Sequence, residues 1–167
     1  MFYNFNKIEE VKIRLRSAEG HICEVEESAA LMSSFIRSMI EGFNEVTEVS
    51  LPNINSVVIE KVIEYMRHYK DKDPPIIKKP IISSKMEENT SAWDAGFIDA
   101  DWNMVVDLMT AADYLMMIPL RDLCCAKMAC KFKGRSIDEL RAEYHIENEF
   151  PSEMEENLEF QHPWRLE

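Results

Sequence analysis

Three of the four cysteines form the cluster in this sequence that most resembles a metal-binding site. Cys124, Cys125 and Cys130 lie within one stretch that is predicted to be helical. Successive residues of an α-helix point about 100° apart, so these three thiols cannot converge on one tetrahedral zinc ion. Cysteines without such an arrangement are usually small buried apolar residues. The sequence therefore predicts no metal site.

Histidines and carboxylates give no sign of a catalytic centre either. The four histidines have no cysteine or aspartate partner at catalytic spacing; they are His21, His68, His145 and His162. With four glycines, the chain has no glycine-rich nucleotide loop, no nucleophile elbow and no calcium loop. Its paired carboxylates are typical of solvated helix faces. We therefore predict that the protein is not an enzyme and needs no cofactor.

The charge is strongly negative and unevenly distributed. The net charge is −12, and residues 136–167 carry ten acidic and two basic residues, which leaves −4 for the first 135. Binding to nucleic acid or to an anionic membrane needs clustered lysine and arginine, so both partners are disfavoured. No apolar run approaches the roughly 18–20 residues of a membrane span, and the first residues lack a signal-peptide pattern. We expect an intracellular protein of the cytoplasm or the nucleus, with reduced thiols.

The N-terminal part alternates in the manner of a β-hairpin. VKIRLR (11–16) places Val11, Ile13 and Leu15 on one side, and HICEVE (21–26) returns after a turn at Gly20. A helix is predicted from Ser28, its cap, to Gly42, followed by a third strand over Val46–Leu51.

Helical periodicity dominates the remainder, with one interruption. A helix capped by Asn53 or Asn55 turns Val57, Val58, Val62, Tyr65, Met66 and Tyr69 inward. Residues 70–92 are rich in proline and charge and predict a loop with a more apolar centre, IIKKPII. A short helix or turn at WDAGFIDAD (93–101) precedes a helix from Met104 to Leu115. The next helix has Pro119 in its first turn and ends at Gly134.

Two short helices are predicted at the C-terminus. Ser136 with Glu139, and Ser152 with Glu155, both have the S-x-x-E spacing of a capping box. Isolated helices of two to three turns are marginal in water, so these need packing. Trp164 near the end suggests that the tail folds against its own domain or a partner, because disordered acidic tails normally lack aromatic residues.

Several segments together resemble the S-phase kinase-associated adaptor family of SCF ubiquitin ligases. They are SLPNINSVVIEKVIEYMRHYKDKDPP, WDAGFIDAD, AADYL, KGRSIDELR and YHIENEF, and they occur in the family's order. The resemblance runs from about Val11 to Trp164. It implies an α+β fold of the BTB/POZ type, with a small three-stranded sheet and helices, plus two C-terminal helices. The implied domains are an N-terminal extension (1–10), a BTB/POZ-like domain (11–134) with the linker loop 70–92, and F-box-binding helices (135–167).

Members of this family are non-catalytic adaptors that bridge a cullin to F-box substrate receptors. By resemblance, the residues that would bind the cullin N-terminal domain are Asn53, Asn55, Met109, Asp113 and Tyr114. Those that would bind F-box proteins are Met128, Ile137, Leu140, Tyr144, Ile146, Asn148, Phe150, Leu158 and Trp164. The alternatives are a cullin-independent structural or F-box-stabilising subunit, and a BTB module that self-associates as a homodimer.

Some positions depart from the family pattern. Asp113 replaces a usual asparagine, which exchanges an amide donor for an acceptor-only anion. Met116 replaces an aspartate, Pro119 a glycine and Ile137 a proline, and Pro163 precedes the terminal tryptophan. We interpret the chain as a divergent paralogue and hypothesise that it serves a narrower set of F-box partners.

Overall fold

A β-hairpin begins the part of the chain that this computed structural model describes, which comprises residues 10–42 and 47–146. Strand β1 (Lys12–Arg16) pairs antiparallel with β2 (Ile22–Glu26), with Leu15 opposite Cys23. Gly20 has φ +82° and its N–H donates to the Ser17 carbonyl at 3.0 Å, so the predicted turn is confirmed.

A short third strand completes the sheet. Strand β3 (Glu48–Ser50) pairs parallel with β1, which gives the order β2-β1-β3 and leaves β2 at an edge. The alternating side chains of one face are buried: Ile13, Leu15, Cys23, Val25 and Val49. Val11, predicted to lie on this face, precedes the strand and is exposed.

The predicted single helix from Ser28 to Gly42 is wrong. The structure has a short α1 (Glu27–Ala30) and a separate α2 (Ser34–Gly42). Between them the buried Ser33 Oγ accepts a hydrogen bond from Ile36 N (3.1 Å) and donates to the Leu115 carbonyl (2.6 Å). Ser33 thus caps α2 and ties it to a distant segment, and this tertiary contact breaks the helical run.

Helix α3 (Ser56–Tyr69) lies over the sheet. Its N-cap is Asn55, whose Oδ1 accepts from Val58 N at 2.9 Å. Val57, predicted to face inward, is 59% exposed, since the buried face begins with Val58. The other predicted inward residues are buried: Val58, Val62, Tyr65, Met66 and Tyr69.

The predicted loop before residue 92 is confirmed and contains one 3₁₀ turn, Met86–Glu88. Asn89 organises it: Oδ1 accepts from Ile82 N (2.9 Å) and Nδ2 donates to the carbonyls of Ser83 (2.7 Å) and Lys85 (2.6 Å). Ile77 is buried, so the apolar centre of this loop packs on the core.

Three helices then complete the first unit: α4 (Ala92–Phe97), α5 (Trp102–Tyr114) and α6 (Ile118–Phe132). Helix α5 packs against both α3 and α6. Pro119 lies in the first turn of α6, and Gly134 (φ +81°) follows its end, as predicted.

The chain divides into two compact units between Lys133 and Gly134. The second unit contains α7 (Ile137–Tyr144), and the predicted capping box at Ser136 is confirmed. Glu139 N donates to Ser136 Oγ (3.2 Å), and Ser136 N donates to Glu139 Oε2 (2.8 Å). The predicted capping box at Ser152 lies outside the described residues. Across residues 10–42 and 47–146, no helix combines the length and apolarity that a membrane crossing requires.

Candidate functional site

A groove between the start of α3 and the end of α5 brings together three of the predicted cullin-binding residues. Asn53, Asn55 and Tyr114 line it together with Asp107 and Thr110 of α5. The groove has a volume of about 190 Å³. Its α5 side is formed by positions 107, 110, 111 and 114, which share one helical face because they are three or four residues apart. We call it the α3–α5 groove.

The two asparagines of the groove have different roles. Asn55 Oδ1 accepts the hydrogen bond that caps α3, and Asn55 Nδ2, which takes no part in this bond, can donate to a partner. Asn53 is exposed and lies before the cap. Asn55 therefore shapes the groove, while Asn53 presents a complete amide to it.

Tyr114 is held in place but remains accessible. Its ring lies 5.1 Å from that of Phe35, tilted by 48°, and the residue is 40% exposed. The bond from Ser33 Oγ to the Leu115 carbonyl fixes the start of α2 beside the end of α5. An aromatic ring supported on one side and open on the other is suited to anchoring a protein partner.

Two further apolar residues at the α5–α6 turn are exposed, and the sequence reasoning did not select them as binding residues. Met116 and Ile118 are each 58% exposed. Met116 is left-handed (φ +54°), and the turn is closed by Met117 N donating to the Ala112 carbonyl at 2.8 Å. Met116 lies inside the turn, where helical periodicity does not apply, and Ile118 is the first residue of α6.

Met109 and Asp113, two of the predicted cullin-binding residues, lie outside the groove, and Met109 precedes Tyr114 by five residues on α5. Five residues along a helix correspond to a rotation of about 140° from the starting direction. Met109 Sδ lies 3.9 Å from Cys125 Sγ, and Asp113 Oδ1 accepts from Arg121 Nη1 at 2.9 Å. Both contacts are with α6. The Asp113 carboxylate, through its hydrogen bond, raises the pKa of the Arg121 guanidinium.

The predicted F-box-binding residues within the described part lie in both units. Met128 lies on α6 and is partly buried against the core. In the second unit, Ile137, Leu140 and Tyr144 recur at three- and four-residue spacing on α7, and Ile137 is 59% exposed. Ile146 follows the helix and is exposed. Asn148, Phe150, Leu158 and Trp164 lie outside the described residues.

The N-terminus of helix α7 is fixed by a capping box at Ser136 and Glu139. The capping box satisfies two backbone N–H groups, and its hydrogen bonds from Ser136 lower the pKa of Glu139. Arg135 and Glu143 form an ion pair within the same unit. The helix has eight residues, and none of them is fully buried.

Three cysteine thiols are in environments that suppress reactivity. Burial raises the pKa of Cys23, Cys130 and Cys124, the last to about 12. Reactive cysteines need the opposite shift, toward the thiolate. Among the described residues, Cys124, Cys125 and Cys130 do not appear together in a group with converging ligand atoms.

One of the four histidines lies near both a cysteine and a carboxylate. His21, Cys23 and Glu60 each offer a ligand atom within 4.8 Å of the other two. His21 and Cys23 are two residues apart, and Glu60 comes from the distant α3. The H-x-C spacing at the start of a strand was visible in the sequence, but the approach of Glu60 was not.

Comparison with known proteins gives two family matches. Residues 11–71 match a POZ model described as the Skp1 family, tetramerisation domain, and residues 119–165 match one described as the Skp1 family, dimerisation domain. The first match confirms the predicted α+β fold of the BTB/POZ type. Between them the matches cover the α3–α5 groove only in part, since Tyr114 lies between the two ranges.

Full-length relatives agree with these matches. The chain is 34% identical over 157 residues to the S-phase kinase-associated protein 1 homolog of Tetrahymena thermophila, covering 93% of this chain and 95% of that protein. It is 34% identical to SKP1-like protein 1A of Arabidopsis thaliana, with 93% and 98% covered. It is 31% identical to the E3 ubiquitin ligase complex SCF subunit sconC of Arthroderma otae, with 92% and 93% covered.

Proposed function

This chain belongs to the Skp1 family, and we propose that it is a non-catalytic adaptor subunit of an SCF-type E3 ubiquitin ligase. In this role it joins the N-terminal domain of a cullin to F-box proteins, which carry the substrates. The cullin binds along the α3–α5 groove and the α5–α6 turn. The F-box protein binds α7 and the acidic segment that follows it.

The observation that carries the cullin side of this proposal is the exposure of apolar side chains beside the groove. Tyr114, Met116 and Ile118 are exposed within five residues of chain. Water-exposed apolar groups concentrated in this way mark protein-interaction surfaces. The groove supplies polar groups next to them, among them the amide of Asn53. A central aromatic anchor with a polar surround is the usual composition of a binding hot spot.

The F-box side rests on α7. Ile137 at the start of this two-turn helix and Ile146 just after it are exposed apolar residues that a partner can cover, and so short a helix gains stability from such packing. The sequence places Phe150, Leu158 and Trp164 beyond it. Binding an F-box protein would bury these residues, and interfaces of this permanent kind are more apolar than ordinary surface.

Two pairs of substitutions test the two sides separately. Tyr114→Lys is expected to weaken binding to a cullin N-terminal domain by roughly tenfold or more while leaving F-box binding unchanged. Its matched control is Ile76→Lys, which places the same charge at an exposed isoleucine (94% exposed) of the loop before α4. Ile137→Glu is expected to weaken only F-box binding, with Ala142→Glu, elsewhere on α7, as its control.

Co-purification followed by calorimetry measures both bindings. Loss of F-box binding in Trp164→Ala, with cullin binding retained, is expected as well. If the unmodified chain binds an F-box domain but no cullin, the protein is a cullin-independent F-box-stabilising or structural subunit. If it binds neither, the adaptor proposal is wrong.

The remaining partner properties follow from charge and exposed apolar surface. With no F-box protein bound, the chain forms a homodimer through its exposed apolar residues, and sedimentation velocity with and without an F-box domain tests this. A net charge of −12 and a pI of about 4.8 disfavour binding to nucleic acid or to an anionic membrane. We place the protein inside the cell, in the cytoplasm or the nucleus. Subcellular fractionation tests this location.

A further inference from the structure

His21, Cys23 and Glu60 converge at the exposed edge of the sheet. His21 directly precedes β2 and Cys23 lies within it, so their side chains point to the same face of the strand. Helix α3 covers that face and brings Glu60 to it. An imidazole nitrogen, the Cys23 Sγ and a carboxylate oxygen all lie within 4.8 Å of one another.

We propose that these three residues bind one zinc ion, with a water molecule as the fourth ligand. Zinc is bound by imidazole nitrogen, cysteine sulfur and carboxylate oxygen in a tetrahedral arrangement. Bond lengths of about 2.0–2.3 Å place tetrahedral donor atoms about 3.3–3.7 Å apart. The side chains of His21 and Glu60 are both exposed, which leaves them room to rotate toward the buried Cys23 when an ion binds.

The surroundings leave the imidazole and the carboxylate to a cation, whereas the Cys23 thiol, whose pKa burial raises, loses its proton to solvent when the metal binds. Among the described residues that line the same recess, Arg67 is the one arginine or lysine, and its guanidinium makes contacts elsewhere. Arg67 Nε donates to Glu26 Oε2 at 2.9 Å, and Nη2 donates to the Glu24 carbonyl at 3.0 Å. Among the described residues, Glu60 forms no salt bridge. Its carboxylate can therefore neutralise a bound metal.

The recess gives the ion access from solvent. It has a volume of about 360 Å³ and is lined by the three ligands together with Ile22, Glu24, Ile63 and Arg67. A thiolate and an imidazole select zinc over magnesium and calcium, which prefer oxygen donors. The bound ion would link the edge strand β2 to α3, two elements far apart in sequence. It would therefore stabilise the folded sheet, because a metal that binds only the native state shifts the folding equilibrium.

This inference does not depend on the adaptor function, and metal titration of the full chain tests it. Chelator-treated protein is titrated with Zn²⁺ in competition with a chromophoric chelator, and with Co²⁺ as a spectroscopic probe. We expect one equivalent to bind, with an ultraviolet cobalt–thiolate charge-transfer band. Added Zn²⁺ should raise the thermal unfolding midpoint of the chain in a concentration-dependent way.

Three substitutions and two matched controls locate the site. His21→Asn, Cys23→Ala and Glu60→Gln should each weaken zinc binding by roughly tenfold or more, since even loss of a residue that only supports a ligand often costs that much. Glu64→Gln removes another exposed carboxylate of α3, and Cys125→Ala removes an exposed thiol. Both should leave affinity and the cobalt band unchanged.

Because Cys23 is buried, its substitution could unfold the hairpin. The substitutions of the exposed His21 and Glu60 are therefore the main test of zinc binding. The proposal is overturned if the unmodified chain binds less than one equivalent or shows no cobalt–thiolate band. It is also overturned if His21→Asn and Glu60→Gln bind zinc as tightly as the unmodified chain, or if Cys125→Ala removes the band.

Discussion

Asp113 Oδ1 accepts a hydrogen bond from Arg121 Nη1 at 2.9 Å, which joins the last turn of α5 to the first turns of α6. The family resemblance implies an asparagine at position 113, and an unpaired carboxylate there would have to lose its hydration when a partner covers it. Arg121 supplies the opposite charge from within the chain. The Arg121 guanidinium therefore balances the negative charge that aspartate introduces at position 113.

We predict that the effect of losing Arg121 depends on Asp113. Arg121→Gln should weaken cullin binding by roughly tenfold when Asp113 is present, because an unpaired charge is then buried at the interface. In the Asp113→Asn background, Arg121→Gln should have little effect, since the amide needs no counter-ion. Calorimetry on the four proteins of this cycle measures the coupling. Equal losses in both backgrounds would show that Arg121 contacts the cullin by itself.

The second prediction separates the two asparagines of the α3–α5 groove. Asn55→Ala should lower the free energy of unfolding by about 1 kcal/mol, because the N-cap of α3 is lost. Asn53→Ala is its control and should leave stability unchanged, since Asn53 is exposed and precedes the cap. Urea unfolding measures both. Equal stability of the two variants would contradict the assignment of Asn55 as a structural cap.

The third prediction concerns a buried carboxylate in the core. Asp94 is 1% exposed and accepts hydrogen bonds from Tyr69 Oη (2.8 Å), Thr90 Oγ1 (2.9 Å) and Ser91 Oγ (2.8 Å). Tyr69→Phe leaves the carboxylate with one donor fewer and should cost about 1–3 kcal/mol of folding free energy. Tyr114→Phe, at an exposed ring, is the control and should change the folding free energy by only a few tenths of a kcal/mol, on the order expected for a surface substitution. A near-zero change for Tyr69→Phe would mean that water replaces the lost hydroxyl.

The fourth prediction is a loss of stability at alkaline pH. Burial, followed by the hydrogen bond to Asp94, raises the pKa of Tyr69 from 10.0 to about 12. A raised pKa in the folded state means that the native protein holds its proton more tightly than the unfolded chain. The stability from this group is therefore complete below pH 10 and is lost as the pH rises toward 12.

Urea unfolding at a series of pH values between 9 and 12 checks this fourth prediction, with Tyr69→Phe as the comparison. Burial also raises the pKa of Tyr65 and Cys124, so the variant should still lose stability at high pH, but along a shallower slope. Identical slopes for the two proteins would show that Tyr69 ionises as easily in the folded state as in the unfolded one.

Much of the local structure follows from the sequence because it depends on neighbours along the chain. The hairpin turn at Gly20, the cap at Asn55, proline in the first turn of α6 and the capping box of α7 are all short-range arrangements. The family was recognisable for a similar reason, since its motifs are short and occur in a fixed order. The prediction of a single helix from Ser28 to Gly42 failed because the break between α1 and α2 depends on a long-range hydrogen bond from Ser33 to the Leu115 carbonyl.

The amino-acid sequence by itself determined the fold class and most of the elements, and it suggested candidate residues for binding a partner. Only the tertiary structure decided which of those residues share a surface. It placed Tyr114 beside Asn53, turned Met109 toward Cys125, and paired Asp113 with Arg121. It also brought Glu60 to His21 and Cys23. The physical reason is that periodicity fixes direction within one helix or strand, whereas the partner across a contact depends on how separate elements pack.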